Sequence, residues 1–206
     1  IIRPDINKCY SDFKSDNANF YYALGAIKNV GYEAISNIVK ERTINGEFTS
    51  INNFINRVNP KNINKLQLEG LVKAGAFDSL NNNRQSIFNS IPSLILKSKN
   101  IFESKSNNQI NLFLDNDEKS DDELMKIDDW SNQERLSKEF ETLGFFISDH
   151  PLNQFKDVFK DYDIIDYSNF NSNDHLKEAN IASTVLKVQE KKTLKGNSYA
   201  IVKLSD

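Results

Sequence analysis

The segment from Leu24 to Gly31 has the residue types of an anion-binding turn, because its last glycine directly precedes a stretch with helical apolar spacing. A tight turn before a helix presents free backbone N–H groups and the positive end of the helix dipole, which together suit a phosphate. Lys28 adds a positive charge beside this turn. Glycines at such corners also serve packing alone, so the residues by themselves leave both interpretations open.

A second segment, Leu68–Asp78, repeats the order of helix, lysine and small-residue turn, with Lys73 and Gly75 at the turn. The residues that follow begin a helix less clearly. We expect Phe77 and Leu80 to lie in the core.

A third segment, Gln109–Phe113, places a glutamine and a Leu-Phe pair in polar surroundings. Gln109 could hydrogen-bond the rim of a pocket while Leu112 and Phe113 fill apolar pockets as anchors. The alternative is a chance pentapeptide in a linker, and composition alone leaves the two open.

No catalytic or metal centre is predicted. His150 and His175 are far apart in the sequence and have no partners at ligand spacing, and there is neither a phosphate loop nor a nucleophile elbow. We expect His150 to be a turn residue with a structural hydrogen bond. Cys9 is the sole cysteine of the 206 residues, which excludes an intrachain disulfide and a cysteine-rich zinc site.

The net charge of −3 is unevenly distributed. The first 100 residues carry 13 basic and 8 acidic residues, whereas the remaining 106 carry 13 and 21. The acidic residues concentrate between Asp115 and Asp129, which predicts a solvated linker. The first half is therefore compatible with a nucleic-acid partner although the whole chain is acidic.

No apolar run approaches the roughly 20 residues that cross a bilayer. The sequence begins at Ile1 with neither an initiator methionine nor a signal peptide, so we expect a cytoplasmic fragment with no membrane partner.

The elements that must position these segments are mostly helices. Apolar spacing and stop signals predict five of them, at 32–42, 48–55, 62–73, 83–99 and 131–144, the last starting at a Ser131–Glu134 capping box. Alternating residues then predict two strands, 182–188 and 200–204, around the turn Lys195–Asn197. Because a lone hairpin is only marginally stable, we expect the chain to be cut inside a small β domain.

The order of these motifs resembles the alpha subunit of bacterial DNA polymerase III, the C-family replicative polymerase. The resemblance covers nearly the whole chain except 91–108 and the acidic linker. The segments that carry it are Arg3–Asn7, Phe20–Gly31, Gly46–Phe48, Asn64–Lys65, Leu68–Glu69, Lys73–Asp78, Trp130–Ser131, Glu134–Leu136, Glu141–Phe145, Ser148–Leu152, Lys195–Asn197 and Leu204–Asp206.

The resemblance implies a mainly α fold, with a helix-hairpin-helix DNA-binding domain and a helical clamp-binding region, followed by the start of a truncated OB-fold β segment. The implied boundaries are 1–19 for the end of a fingers-type segment, 20–90 for the helix-hairpin-helix region, 91–130 for a variable linker with a clamp-binding peptide, 131–178 for a helical connector and 179–206 for the truncated OB-fold.

The resemblance also implies a non-catalytic region that binds double-stranded DNA and tethers a replicative polymerase to its sliding clamp, beside other replicase subunits. The implied DNA-binding residues are Lys28, Asn29, Val30, Gly31, Lys73 and Gly75, and the implied clamp-binding residues are Gln109, Ile110, Asn111, Leu112 and Phe113. Asn29 stands where the family's hairpin usually has its first glycine, and asparagine tolerates a positive φ better than most residues.

The parent polypeptide would be a DNA-directed DNA polymerase that uses magnesium, with its catalytic carboxylates upstream of this chain. No cofactor is then expected for the fragment itself. Two alternatives remain: a stand-alone helix-hairpin-helix repair protein, and a protein-interaction adaptor that does not touch DNA.

Overall fold

The computed structural model describes residues 1–106 and 124–206, and in them the chain is mainly helical with two small pairs of antiparallel strands. This confirms the predicted fold class. The described chain divides into two units, Ile1–Ser148 and Asp149–Asp206. The finer boundaries at 19, 90, 130 and 178 stay predictions.

The first unit contains the five predicted helices and a small strand pair that the sequence pattern did not indicate. Its elements in chain order are β1 (Lys14–Ser15), β2 (Phe20–Tyr21), a 3-10 turn (Leu24–Ala26), α1 (Tyr32–Asn45), α2 (Ile51–Arg57), α3 (Lys65–Lys73), α4 (Arg84–Ser106) and α5 (Asn132–Leu143). Strands β1 and β2 pair antiparallel.

The helix boundaries follow local signals. Ser50 caps α2, and capping boxes begin α3 at Asn64 with Gln67 and α5 at Ser131 with Glu134. Gly144 has a φ of 82° and ends α5 in the left-handed region that favours glycine. The capping box predicted at Ser131 is therefore confirmed.

The second unit contains a 3-10 turn (Pro151–Phe155), α6 (Lys156–Asp161), α7 (Tyr167–Asn171), β3 (Thr184–Lys192) and β4 (Ser198–Ser205). Strands β3 and β4 form an antiparallel pair, as predicted, with a register shift between Val185 and Lys187. Val188 and Val202 face each other in the pair, and both are more than two-fifths exposed. The assignment of this pair to an OB-fold stays a prediction.

The core of the first unit is built around three phenylalanines. The Phe54 ring meets both Phe48 and Phe77 edge to face, with centroids 5.0 Å apart in each pair, and all three are buried. Burial of each such side chain contributes about 1.5–3 kcal/mol. The prediction that Phe77 is a core residue is confirmed.

The N-terminal segment is held to α1 by a buried arginine. The Arg42 guanidinium donates hydrogen bonds to the carbonyl oxygens of Ile6, at 2.5 Å, and Cys9, at 3.0 Å. Burial lowers the pKa of Arg42, and the two carbonyl oxygens accept hydrogen bonds from both of its terminal nitrogens. Arg42 thus joins the segment around residues 6–9 to the last turns of α1.

We predict that Arg42→Met lowers the free energy of unfolding by about 2–4 kcal/mol, because two buried carbonyl groups lose their donors. Urea denaturation followed by circular dichroism measures the change. Lys40→Met, on the exposed surface of the same helix, should change stability by no more than about 0.5 kcal/mol. Equal stability of the Arg42 variant and the wild type would contradict the structural role of this arginine.

Candidate functional site

The first hairpin (Leu24–Gly31) turns through two residues with a positive φ. Asn29 has a φ of 68° and Gly31 a φ of 79°. Asparagine accommodates this region better than most side chains, so it replaces a glycine here without loss of the turn. Ile27 and Val30 are buried as anchors, whereas Asn29 and Gly31 are exposed. The turn therefore presents its backbone to solvent.

The start of α1 has no side-chain cap, unlike the starts of α2, α3 and α5. Among the described residues, the backbone N–H groups of Gly31, Tyr32 and Glu33 have no hydrogen-bond partner. These donors lie at the positive end of the helix dipole, which favours an anion. Glu33 is the acidic side chain of this first turn, and it is exposed.

Three contacts with other elements hold the first hairpin in place. The Gln67 side chain donates to the Val30 carbonyl oxygen at 2.8 Å, and the Lys28 N–H donates to the Thr142 carbonyl oxygen at 3.1 Å. The Gly25 N–H donates to the Ser11 carbonyl oxygen at 3.1 Å. Because α3, α5 and the segment before β1 all bind the hairpin from within, its outward N–H groups have a fixed position.

Helix α3 approaches the hairpin so closely that it needs a glycine at the contact. A Cβ atom at Gly70 would lie 2.9 Å from the Lys28 carbonyl oxygen and 3.1 Å from Val30 Cγ2. Real Cβ contacts are longer than this, so any side chain at position 70 would push α3 and the hairpin apart. The sequence pattern alone did not indicate this role for Gly70.

The second hairpin (Lys73–Asp78) has a different environment. Gly75 has a φ of 78° and is buried, and a Cβ atom there would overlap the Arg84 guanidinium. Arg84 pairs with both carboxylate oxygens of Asp78, at 2.8 and 2.6 Å, and its Nη1 lies 3.8 Å from Glu139 Oε2. Burial opposes the charge of Arg84, but the bond to Asp78 raises its pKa overall. The geometry gives Gly75 a packing role, and its DNA-binding role stays a prediction.

Lys73 of the second hairpin faces an acidic side chain on α5. The Lys73 ammonium lies 2.9 Å from Glu141 Oε1, and this hydrogen bond lowers the pKa of Glu141. The charges of Lys138 and Lys28 lower it further. Helix α5 therefore contacts both turns, which the sequence pattern left separate: Glu141 binds the Lys73 ammonium, and the carbonyl oxygen of the next residue, Thr142, accepts from the Lys28 N–H. The spacing of Lys138 and Glu141 on the predicted α5 was the available signal for this cluster.

The predicted clamp-binding residues Gln109, Ile110, Asn111, Leu112 and Phe113 lie outside the described residues. Their role stays a prediction, as do the DNA-binding roles of Lys28, Asn29, Val30, Gly31, Lys73 and Gly75.

His150 has the structural role expected of a turn residue. Its Nδ1 accepts a hydrogen bond from the Leu152 N–H at 3.3 Å, and its Nε2 lies 3.0 Å from Ser205 Oγ. Within residues 1–106 and 124–206, no group of three or more His, Cys, Asp or Glu side chains could hold a metal ion. Over the same residues, no helix is long and apolar enough to cross a membrane.

Residues 1–87 match the family of the helix-hairpin-helix motif. The chain is 30% identical over 205 residues to the DNA polymerase III subunit alpha of Caulobacter vibrioides, covering 98% of this chain and 18% of that protein. It is 34% identical over 193 residues to the Rickettsia bellii subunit, covering 92% of this chain and 16% of the relative. It is 35% identical over 165 residues to the Borreliella burgdorferi subunit, with 76% and 14% covered.

The chain thus spans less than a fifth of the length of these relatives. The similarity to DNA polymerase III alpha subunits that the motif order indicated is confirmed, and so is the helix-hairpin-helix motif.

We predict that Gly70→Ala destabilises the first unit by about 1–3 kcal/mol, because the added methyl group meets backbone and side-chain atoms of the hairpin. The expected destabilisation is the net value, in which the steric cost exceeds the gain of about 1 kcal/mol in helix propensity that alanine brings. Chemical denaturation measures the total, and faster hydrogen exchange at the Lys28 and Val30 amides locates it.

Ser137→Ala, on the exposed side of α5, is the control and should leave stability within about 0.5 kcal/mol. A Gly70→Ala variant as stable as the wild type would mean that the close approach of α3 does not constrain the hairpin.

Proposed function

We propose that this chain, which is homologous over nearly its whole length to one segment of DNA polymerase III alpha subunits, binds duplex DNA for such a polymerase and tethers it to a sliding clamp. The DNA-binding part rests on one observation, the uncapped start of α1. There the exposed first hairpin, which includes Lys28, leads into backbone N–H groups that have no hydrogen-bond partner among the described residues. Such a group suits a phosphate.

The DNA contact in this proposal is to the backbone and not to the bases. Backbone N–H groups and lysine ammonium groups bind phosphate oxygens, which are the same in every sequence. Each phosphate that a lysine neutralises releases counterions, so binding weakens steeply with salt. This suits a polymerase segment that must hold any template.

The parent polypeptide in this proposal is a DNA-directed DNA polymerase of the bacterial cytoplasm, acting with magnesium and with other replicase subunits. The nucleotidyl transfer belongs to carboxylates outside this chain. This segment would contribute binding and position to the parent enzyme, and it would need no cofactor of its own.

The clamp contact is assigned to Gln109–Phe113. Gln109 would bond the rim of a pocket on the clamp, and Leu112 and Phe113 would fill it as apolar anchors. A peptide of this size binds weakly by itself. When the peptide is linked to a DNA-binding unit on the same polypeptide, binding at one site raises the effective concentration of the second ligand, clamp or DNA, at the other site. The two weak contacts together then give a long-lived attachment.

We predict that Lys28→Glu weakens binding of the full 206-residue chain to duplex DNA by about tenfold at 0.1 M salt and lowers the salt slope by about one. Fluorescence anisotropy with a labelled duplex measures both. Lys40→Glu makes the same charge change in the C-terminal half of α1 and should have a much smaller effect.

Unchanged DNA binding of the Lys28 variant would remove the first hairpin from the interface. Absence of any salt-dependent binding by the wild type would instead favour a protein-interaction adaptor.

We predict that Leu112→Ala combined with Phe113→Ala abolishes binding to the purified clamp, because both apolar anchors are removed. Isothermal titration calorimetry measures the affinity, and circular dichroism checks that the helical content is retained. Asn116→Ala, a few residues further along, should bind the clamp like the wild type. A double variant with unchanged affinity would refute the docking role.

A further inference from the structure

We propose that Lys28, Lys73 and Lys138 form a single phosphate-binding position, and that the Glu141 carboxylate occupies this position when DNA is absent. The proposal rests on the proposed DNA binding and adds to it a third element, α5, and an internal competitor for the phosphate.

Glu141 is in direct contact with Lys73. Their side-chain atoms lie 2.9 Å apart, but Lys73 is only 16% exposed whereas Glu141 is 55% exposed. Lys73 is therefore packed against the protein and reaches outward with its ammonium group. A carboxylate held there from the solvent side takes the place that an external anion would take.

Lys73 and Lys138 both lie near one aromatic ring. The two ammonium groups lie 5.7 and 5.8 Å from the centroid of Phe88, and Lys138 also lies 4.6 Å from the centroid of Trp130. The rings hold the lysines by cation–π attraction. Lys138 and Glu141 are also neighbours three residues apart on α5, so the carboxylate that pairs with Lys73 lies near the second lysine as well.

The first hairpin is bonded to α5 close to Lys73 and Lys138. The Lys28 N–H donates to the carbonyl oxygen of Thr142, the residue after Glu141. The charge of Lys28 is also among those that lower the pKa of Glu141. The first hairpin is thereby bonded to α5 one residue from Glu141, which places Lys28 next to the contact of Glu141 with Lys73.

The position of Glu141 makes it easy to displace. It lies in the last turn of α5, where the helix dipole disfavours a negative charge. An ion pair with one partner more than half exposed is weak, because water and salt screen it. A DNA phosphate offers more charge and more acceptor oxygens, and it arrives together with the contacts at the start of α1.

The test is Glu141→Gln in the full chain, with affinity for a duplex measured by fluorescence anisotropy from 0.05 to 0.3 M salt. We expect binding about threefold to tenfold tighter at the lowest salt, because the lysines no longer exchange an internal anion for the phosphate. Glu47→Gln removes the same charge beyond the other end of α1, about 21 Å along a 14-residue helix, and should change affinity less than twofold.

A double-mutant cycle separates local competition from the loss of a charge. In a Lys73→Gln background, Glu141→Gln should have a clearly smaller effect, because the direct partner of the carboxylate is already removed. Lys138→Gln alone should weaken binding. Each of these results supports the proposal.

Three results would overturn it: a Glu141 variant that binds no tighter than the wild type, an equal gain for the Glu47 variant, or a full effect of Glu141→Gln without Lys73. In all three the wild type still binds DNA, so the proposed function survives them. A wild type that does not bind duplex DNA would refute the proposed function and this inference together.

Discussion

The close approach of α3 to the first hairpin is the contact on which the candidate site depends. At Gly70 the helix lies so close to the Lys28 carbonyl oxygen and the Val30 side chain that a Cβ atom would not fit without a shift. Gln67 on the same helix donates a hydrogen bond to the Val30 carbonyl oxygen. The hairpin backbone is thereby fixed on its inner side, which leaves the N–H groups of its outer side oriented before any ligand arrives. Preorganised donors lose little freedom on binding, so even a few of them can hold a phosphate.

Helix α5 shows that a division of charge by sequence position does not describe the folded surface. Lys138 and Glu141 belong to the acidic second half of the sequence, yet α5 packs in the first unit beside Lys28 and Lys73. The sequence between α4 and α5 contains the acidic run. It separates α5 from Lys28 and Lys73 along the sequence, although α5 packs beside them in the fold. The lysine cluster is therefore assembled from three segments that are distant in the sequence, and the Glu141 carboxylate lies beside it.

Local signals predicted much of the fold, because caps, breakers and apolar spacing act over a few residues. The Ser131 capping box, the stop at Gly144 and the break after Asn45 all lie where the sequence indicates. The network of Arg84, Asp78 and Glu139 could not be predicted in this way, since it joins α4, the second hairpin and α5. The same holds for Gly75, whose motif suggested a phosphate turn and whose neighbour in the fold is a buried guanidinium.

The aromatic rings that contact the lysine cluster, Phe88 and Trp130, have an optical consequence. Trp130 is the sole tryptophan of the chain, and the Lys138 ammonium lies 4.6 Å from its ring. Indole emission responds to charges at this distance, so any anion that enters or leaves the cluster alters the field at the one fluorophore that dominates the ultraviolet emission of the protein. The molecule thus carries its own spectroscopic reporter at the surface where we place the DNA backbone.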